Sequence, residues 1–234
     1  MSRKSFKAVF SLAIILCAFL SISAQENTFK EEDLMALKTA AELKLKGKIY
    51  RHTTIETFYS NGNKTPDSTS KRIVEIIPPD RYRYMSITET PKGTERYEYI
   101  QVGERRFSRE DNGEWKESTA GGTGSGMGNG SGSGDALYKL ETTIERKLKK
   151  GEIVNRQKVD LYETVTTFKY IYPTKTFTSV WKGTYLFDES GRFVKYEQEY
   201  NAGEENSIKK TVEEYEYNPK IKIEAPILSK KTKP

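Results

Sequence analysis

The sequence predicts a mainly β, α+β protein: one amphipathic helix near the N-terminus, then about eleven antiparallel strands in a single domain. Two observations carry this. Hydrophobic residues recur at helical spacing only once after the leader, and beyond that the period drops to two, with Ile, Val, Thr, Tyr and Phe alternating against polar residues between turn signals.

The first residues are read as a leader. Arg3, Lys4 and Lys7 precede the apolar run Ala8 to Leu20, and Ser21-Ile22-Ser23-Ala24 ends in small residues that suit a signal peptidase. The run has 13 residues, short of the ~20 that span a membrane. Export is expected, with cleavage near Ala24 and release to the periplasm or the exterior. The only cysteine, Cys17, lies within the leader and is preceded by Ile15 and Leu16, so neither an acyl anchor nor a disulfide framework is expected.

The helix is expected over Phe29 to Lys46. Thr28 and Glu31 form a capping-box pattern, Leu34, Leu37, Ala41 and Leu45 share a face, and Gly47 provides a stop. The strands are expected at Lys48 to Ser60, Ser70 to Ile77, Arg81 to Thr88, Thr94 to Val102, Glu104 to Ser108 and Glu114 to Glu117. The pattern resumes at Tyr138 to Lys149, turns at "KKGE", and continues with Ile153 to Phe168, Thr176 to Phe187, Phe193 to Asn201 and Ile208 to Tyr217. Pro78 and Pro79 read as a corner between neighbouring strands, because proline cannot donate to a ladder.

Thr119 to Gly134 holds eight glycines in 16 residues. It matches no GxGxxG register and has no Lys, so it reads as a flexible tether rather than a phosphate cradle, and shortening it is expected to move stability little. Residues 229 to 234 read as a basic disordered tail, giving a domain over 25 to 228.

The composition excludes several classes of function. Loss of Arg3, Lys4 and Lys7 lowers the net charge from +6 to +3, with both signs interleaved along the chain, so no nucleic-acid face is expected. The exported chain has no Cys and one histidine, His52, and contains neither HExxH nor GxSxG. No enzyme activity and no cofactor are expected. "DNGE" at Asp111 and "DESG" at Asp188 read as hairpin turns rather than metal loops.

The aromatic stripes are the candidate site. Phe177, Trp181, Tyr185 and Phe187 share one face of a strand; Tyr82 and Tyr84 share a face of another; Val159, Leu161 and Val165 form a third stripe. These stripes fit either a core beneath the helix or the lining of a ligand cavity, and the candidate ligand-binding residues are Phe177, Trp181, Tyr185, Tyr82, Tyr84, Val159 and Leu161.

At "VEIIPPDRYRYMS", "YEYIQVGERRFSREDNGEWKE" and "YEYNPKIKIEAPI" (Tyr215 to Ile227), the chain resembles the bacterial lipoprotein-carrier-like (LolA/LppX-like) half-barrel superfamily of exported proteins. The resemblance covers most of Leu34 to Ile227. It implies a strongly curved sheet, a half β-barrel with helix on its concave side, and an apolar pocket for a lipid-like or lipoprotein acyl ligand. No motif of a carrier's functional residues is matched, so no residue role is carried over. The sequence departs from the family in having the Gly-rich stretch where relatives have lid helices, and its mean hydropathy of −0.74 points to a small or polar pocket. Two functions remain open: a carrier of an apolar or amphiphilic envelope ligand, and an interaction or stress-sensing module whose pocket is filled by its own helix and which binds an envelope protein partner.

Overall fold

A computed structural model describes residues 28–60, 62–118, 138–203 and 206–228. The leader with Cys17, the tether at 119–134 and the basic tail at 229–234 lie outside the described residues.

Helix α1 spans Glu31–Leu45. It starts later than the sequence pattern indicates. Lys30, not Thr28, is the N-cap, and the Asp33 carboxylate reaches back to accept the Lys30 backbone N–H at 3.2 Å. Glu31 is instead drawn to Arg146, 2.7 Å away. Phe29 before the cap and Leu34 in the second turn join one apolar cluster, as in a hydrophobic staple. At the other end Lys44 donates to the carbonyls of Ser190 and Gly191, and Gly47 takes the positive φ of 70° that ends the helix.

Eleven strands follow: β1 Tyr50–Tyr59, β2 Ser68–Ile77, β3 Arg81–Thr90, β4 Gly93–Val102, β5 Arg105–Glu110, β6 Lys116–Ser118, β7 Lys139–Val154, β8 Gln157–Ile171, β9 Thr176–Asp188, β10 Phe193–Ala202 and β11 Ser207–Tyr217. They form one open antiparallel sheet in the order β6-β5-β4-β3-β2-β1-β11-β10-β9-β8-β7. Two meanders are thus joined by the β1–β11 pair, and β6 and β7 are the two rims. Pro78, Pro79 and Asp80 form the β2–β3 corner as expected, with a cis peptide between the prolines and Ile77 paired to Arg81.

One hairpin differs from the sequence reading. "KKGE" does not turn. Gly151, at φ 69°, sits in a bulge within β7, where the register slips between Lys149 and Glu152. The reversal comes later, at Asn155 and Arg156, both at positive φ, the geometry that matches strand twist in a two-residue hairpin. "DNGE" and "DESG" do turn: Asp111 accepts the Arg96 backbone N–H, and Asp188 accepts those of Ser190 and Arg192.

The core is divided between the two faces of the sheet. On the inner, concave face α1 lays Leu34 and Ala41 against Leu148, Tyr162 and Phe187. On the outer face the C-terminal segment 219–228 crosses the other meander, burying Ile223 against Ile100 and Phe107.

Candidate functional site

Pairing registers decide which side chains meet on the inner face. One row across the sheet reads Phe58, Lys209, Tyr200, Trp181, Thr166 and Ile144, each opposite the next on adjacent strands. A second row, four residues along each strand, reads Thr54, Glu213, Tyr196, Tyr185, Tyr162 and Leu148. Helix α1 lies over the β8–β10 side of that second row and leaves the first uncovered.

The helix therefore fills one end of the concavity. Spaces of about 220 Å³ flank it, one against Trp181, Gly183 and Tyr185, the other against Phe193, Tyr196 and Tyr215. Leu34 and Ala41 are buried, Leu37 packs on them and Leu45 borders the second space. Beyond the helix lies a trough of about 470 Å³ walled by Phe58, Tyr170, Phe177 and Tyr200, with Lys209 on its floor. Its rings have aromatic support: Tyr170 stacks on Phe177 at 4.7 Å, and Trp181, which lines the first space beside the helix, meets Tyr200 edge-on at 5.1 Å and Phe168 at 6.4 Å. Trp181 stays 46% exposed, unusual for the largest apolar side chain.

The structure unites three of the seven candidate residues. Phe177, Trp181 and Tyr185 lie on the inner face of β9. Tyr82 and Tyr84 share that face but on β3, opposite Ile76 and Val74, where they pack against Tyr99 and Tyr97. Five strand spacings, roughly 24 Å along the sheet, separate them from β9. Val159 and Leu161 are corrected: they pair with Asp188 and Leu186 on the outer face, where Val159 is buried beside Leu186. The even residues of β8 face inward, so Tyr162 packs under the helix.

Phe58, Tyr200 and Lys209 were not singled out from sequence. Alternation alone places Tyr200 with Tyr196 on β10. No local signal could bring Lys209 beside Phe58, because 151 positions separate them and their register is set by β1–β11 pairing.

The polar groups between the aromatic stretches pair with one another. His52 stacks on Tyr215 at 4.2 Å, and its Nε2 lies 3.1 Å from Glu213. This hydrogen bond, aided by the nearby charges of Lys38 and Arg72, holds the Glu213 carboxyl below its usual range despite burial. Burial pushes the Tyr196 and Tyr215 hydroxyls well up, which keeps them neutral and unsuited to act as bases. Three Ser-x-x-Lys spacings, Ser68/Lys71, Ser179/Lys182 and Ser207/Lys210, fall within strands, where residues three apart point to opposite faces.

Glu213 and Asp188 are among the carboxylates that shape the acid response. Burial draws Asp188 upward, but hydrogen bonds from Ser190 and Arg192 and the charge of Arg192 bring it net below its ordinary value. A carboxyl with a depressed folded pKa stabilises the fold above its unfolded pKa and loses that contribution as pH falls through the folded value. Urea stability of the wild type is therefore expected to decline below about pH 4, and Glu213→Gln should lose less over that window. An unchanged pH slope in the variant would refute the assignment.

No protein-family model matches the chain and no curated protein matches it. Among solved structures, similarity is found to a domain assigned to outer membrane lipoprotein sorting from Vibrio parahaemolyticus, at 10% identity over 80% of this chain and 93% of that one, with a TM-score of 0.30. A DUF1329 family protein from Desulfovibrio piger is similar at 10% identity over 80% of this chain and 92% of that one, TM-score 0.27. A LolA superfamily protein from Nitrosomonas europaea is similar at 10% identity over 78% and 90%, TM-score 0.25. At such TM-scores the likenesses carry no argument, and the architecture rests on the strand order itself.

Proposed function

We propose that this is an exported, non-enzymatic binding protein that holds an apolar or amphiphilic ligand, such as a lipid or a lipoprotein acyl chain, on the inner face of its half-barrel. The observation that carries this reading is the uncovered row Phe58, Tyr200, Trp181 and Ile144 beside a trough of about 470 Å³. Apolar side chains gain by leaving water, and this size lies within the range of small-molecule sites. A second reading, an interaction module with a self-filled pocket, draws support from the helix seated on Leu148, Tyr162 and Phe187. The helix stops short of the trough, which favours the ligand. Among the described residues no helix is long and apolar enough to cross a membrane. The leader pattern supports delivery to the periplasm or exterior.

Trp181→Ala tests this directly. Because the indole is 46% exposed, truncation should leave no closed void and cost no more than about 1 kcal/mol, while weakening a fluorescent fatty-acyl probe several-fold. Thermal unfolding and probe titration provide the paired readout, and mass spectrometry of organic extracts from the purified protein would identify a native ligand. A wild type that binds no acyl probe, together with large destabilisation of the variant, would overturn the ligand reading in favour of the interaction module.

A further inference from the structure

We propose that the trough selects an anionic amphiphile, an apolar chain ending in a carboxylate or phosphate, and that Lys209 holds the anion. The inference rests on the inner face being a ligand site.

Lys209 is the one charged side chain in its row, set between Phe58 and Tyr200 on neighbouring strands. Its Nζ lies 2.9 Å from Glu56 Oε1, and Glu56 Oε2 lies 2.7 Å from Arg72 Nη2. One carboxylate thus serves two cations, and among the described residues Lys209 is the one charged side chain that lines the trough. Of the other acids nearby, Glu213 pairs with His52 and Asp67 accepts the Ser60 backbone N–H in the β1–β2 turn. Arg72 Nε is buried and has no acceptor among the described residues.

The consequence follows from desolvation. Lys209 and Arg72 are partly exposed in the free protein. A purely apolar ligand lying along Phe58 and Tyr200 would strip water from Lys209 and return no hydrogen bond, which is costly. A ligand whose chain lies on the rings and whose anion reaches Lys209 replaces that water with charge-assisted hydrogen bonds. Lysine on a floor of rings thereby distinguishes ligands that differ only at the headgroup.

Calorimetric titration with three twelve-carbon probes below their micellar concentrations tests this: dodecanoate, dodecyl phosphate and dodecanol. The wild type should bind at least one anion about tenfold more tightly than dodecanol, and the anion with the larger gap identifies the headgroup. Lys209→Gln should close the gap by weakening the anions, with dodecanol bound no less tightly than by the wild type. Lys210→Gln, on the opposite face, should preserve it. Equal wild-type affinity for all three probes, or an equal loss for all three in Lys209→Gln, overturns the anion site while leaving the ligand reading intact. Failure of every probe to bind the wild type overturns both.

Discussion

Phe187→Ala is expected to lower the unfolding free energy by ~3–5 kcal/mol, the usual cost of removing a buried ring from a core that cannot collapse around the void. Phe187 is 2% exposed. It meets Tyr162 edge-on at 5.6 Å and Phe193 at 5.2 Å, beneath Leu34 and Ala41 of α1. Its neighbours are held from two sides, by strand pairing below and by the helix above, and Lys44 ties the helix end to the β9–β10 turn. The loss is a large part of the ~5–15 kcal/mol that a domain has in total. Urea unfolding at neutral pH measures it. A change below about 1 kcal/mol would mean that the helix does not pack on the sheet as described. Phe187 and Trp181 occupy the same face of one strand, six residues apart, and the opposite outcomes expected for them separate the filled end of the concavity from the open one.

That distinction was only partly legible in the sequence. The stripe Phe177, Trp181, Tyr185 and Phe187 was readable because alternation is a property of one strand and needs no partner. Which of its members would be covered depends on where the helix docks, and helical periodicity does not encode that. The stripes of β8 show the same limit from another side. Val159 and Leu161 look as suitable for a core as Tyr162 does, and only the register to β9 shows that they face outward. "KKGE" alone does not distinguish a hairpin from a bulge, because glycine at positive φ serves either as readily. Asn155 and Arg156, which do turn, carry a weaker signal. The site's cation depended on β1 meeting β11, a pairing between the ends of the chain. Ser118 ends β6 and Lys139 begins β7 on opposite rims of the sheet, ten spacings or ~48 Å apart along its surface.

Ile223→Ala should cost ~2–5 kcal/mol, although Ile223 belongs to no helix or strand. The segment after β11 begins with Asn218 donating its backbone N–H to the Ile49 carbonyl, then runs over the outer face of β4 and β5. There Ile223, 1% exposed, caps Ile100 and Phe107, with Trp115, Ile77 and Val102 around it. Arg81 Nη1 donates to the Ile223 carbonyl at 3.1 Å and fixes the strap at that point. This rim is the less protected one, since β6 contributes only three residues and α1 sits over the other meander. Without the strap, Phe107 would face water on the outer side of a short-stranded edge. Loss of the Ile223 side chain should therefore act locally before it acts globally. Amide exchange in β4 and β5 should accelerate more than in β8 and β9, where the helix core is untouched. Ile227, 96% exposed four residues further on, provides the control: Ile227→Ala should leave both stability and exchange unchanged. Equal effects of the two substitutions, or acceleration spread evenly over all strands, would show that the strap does not hold this rim.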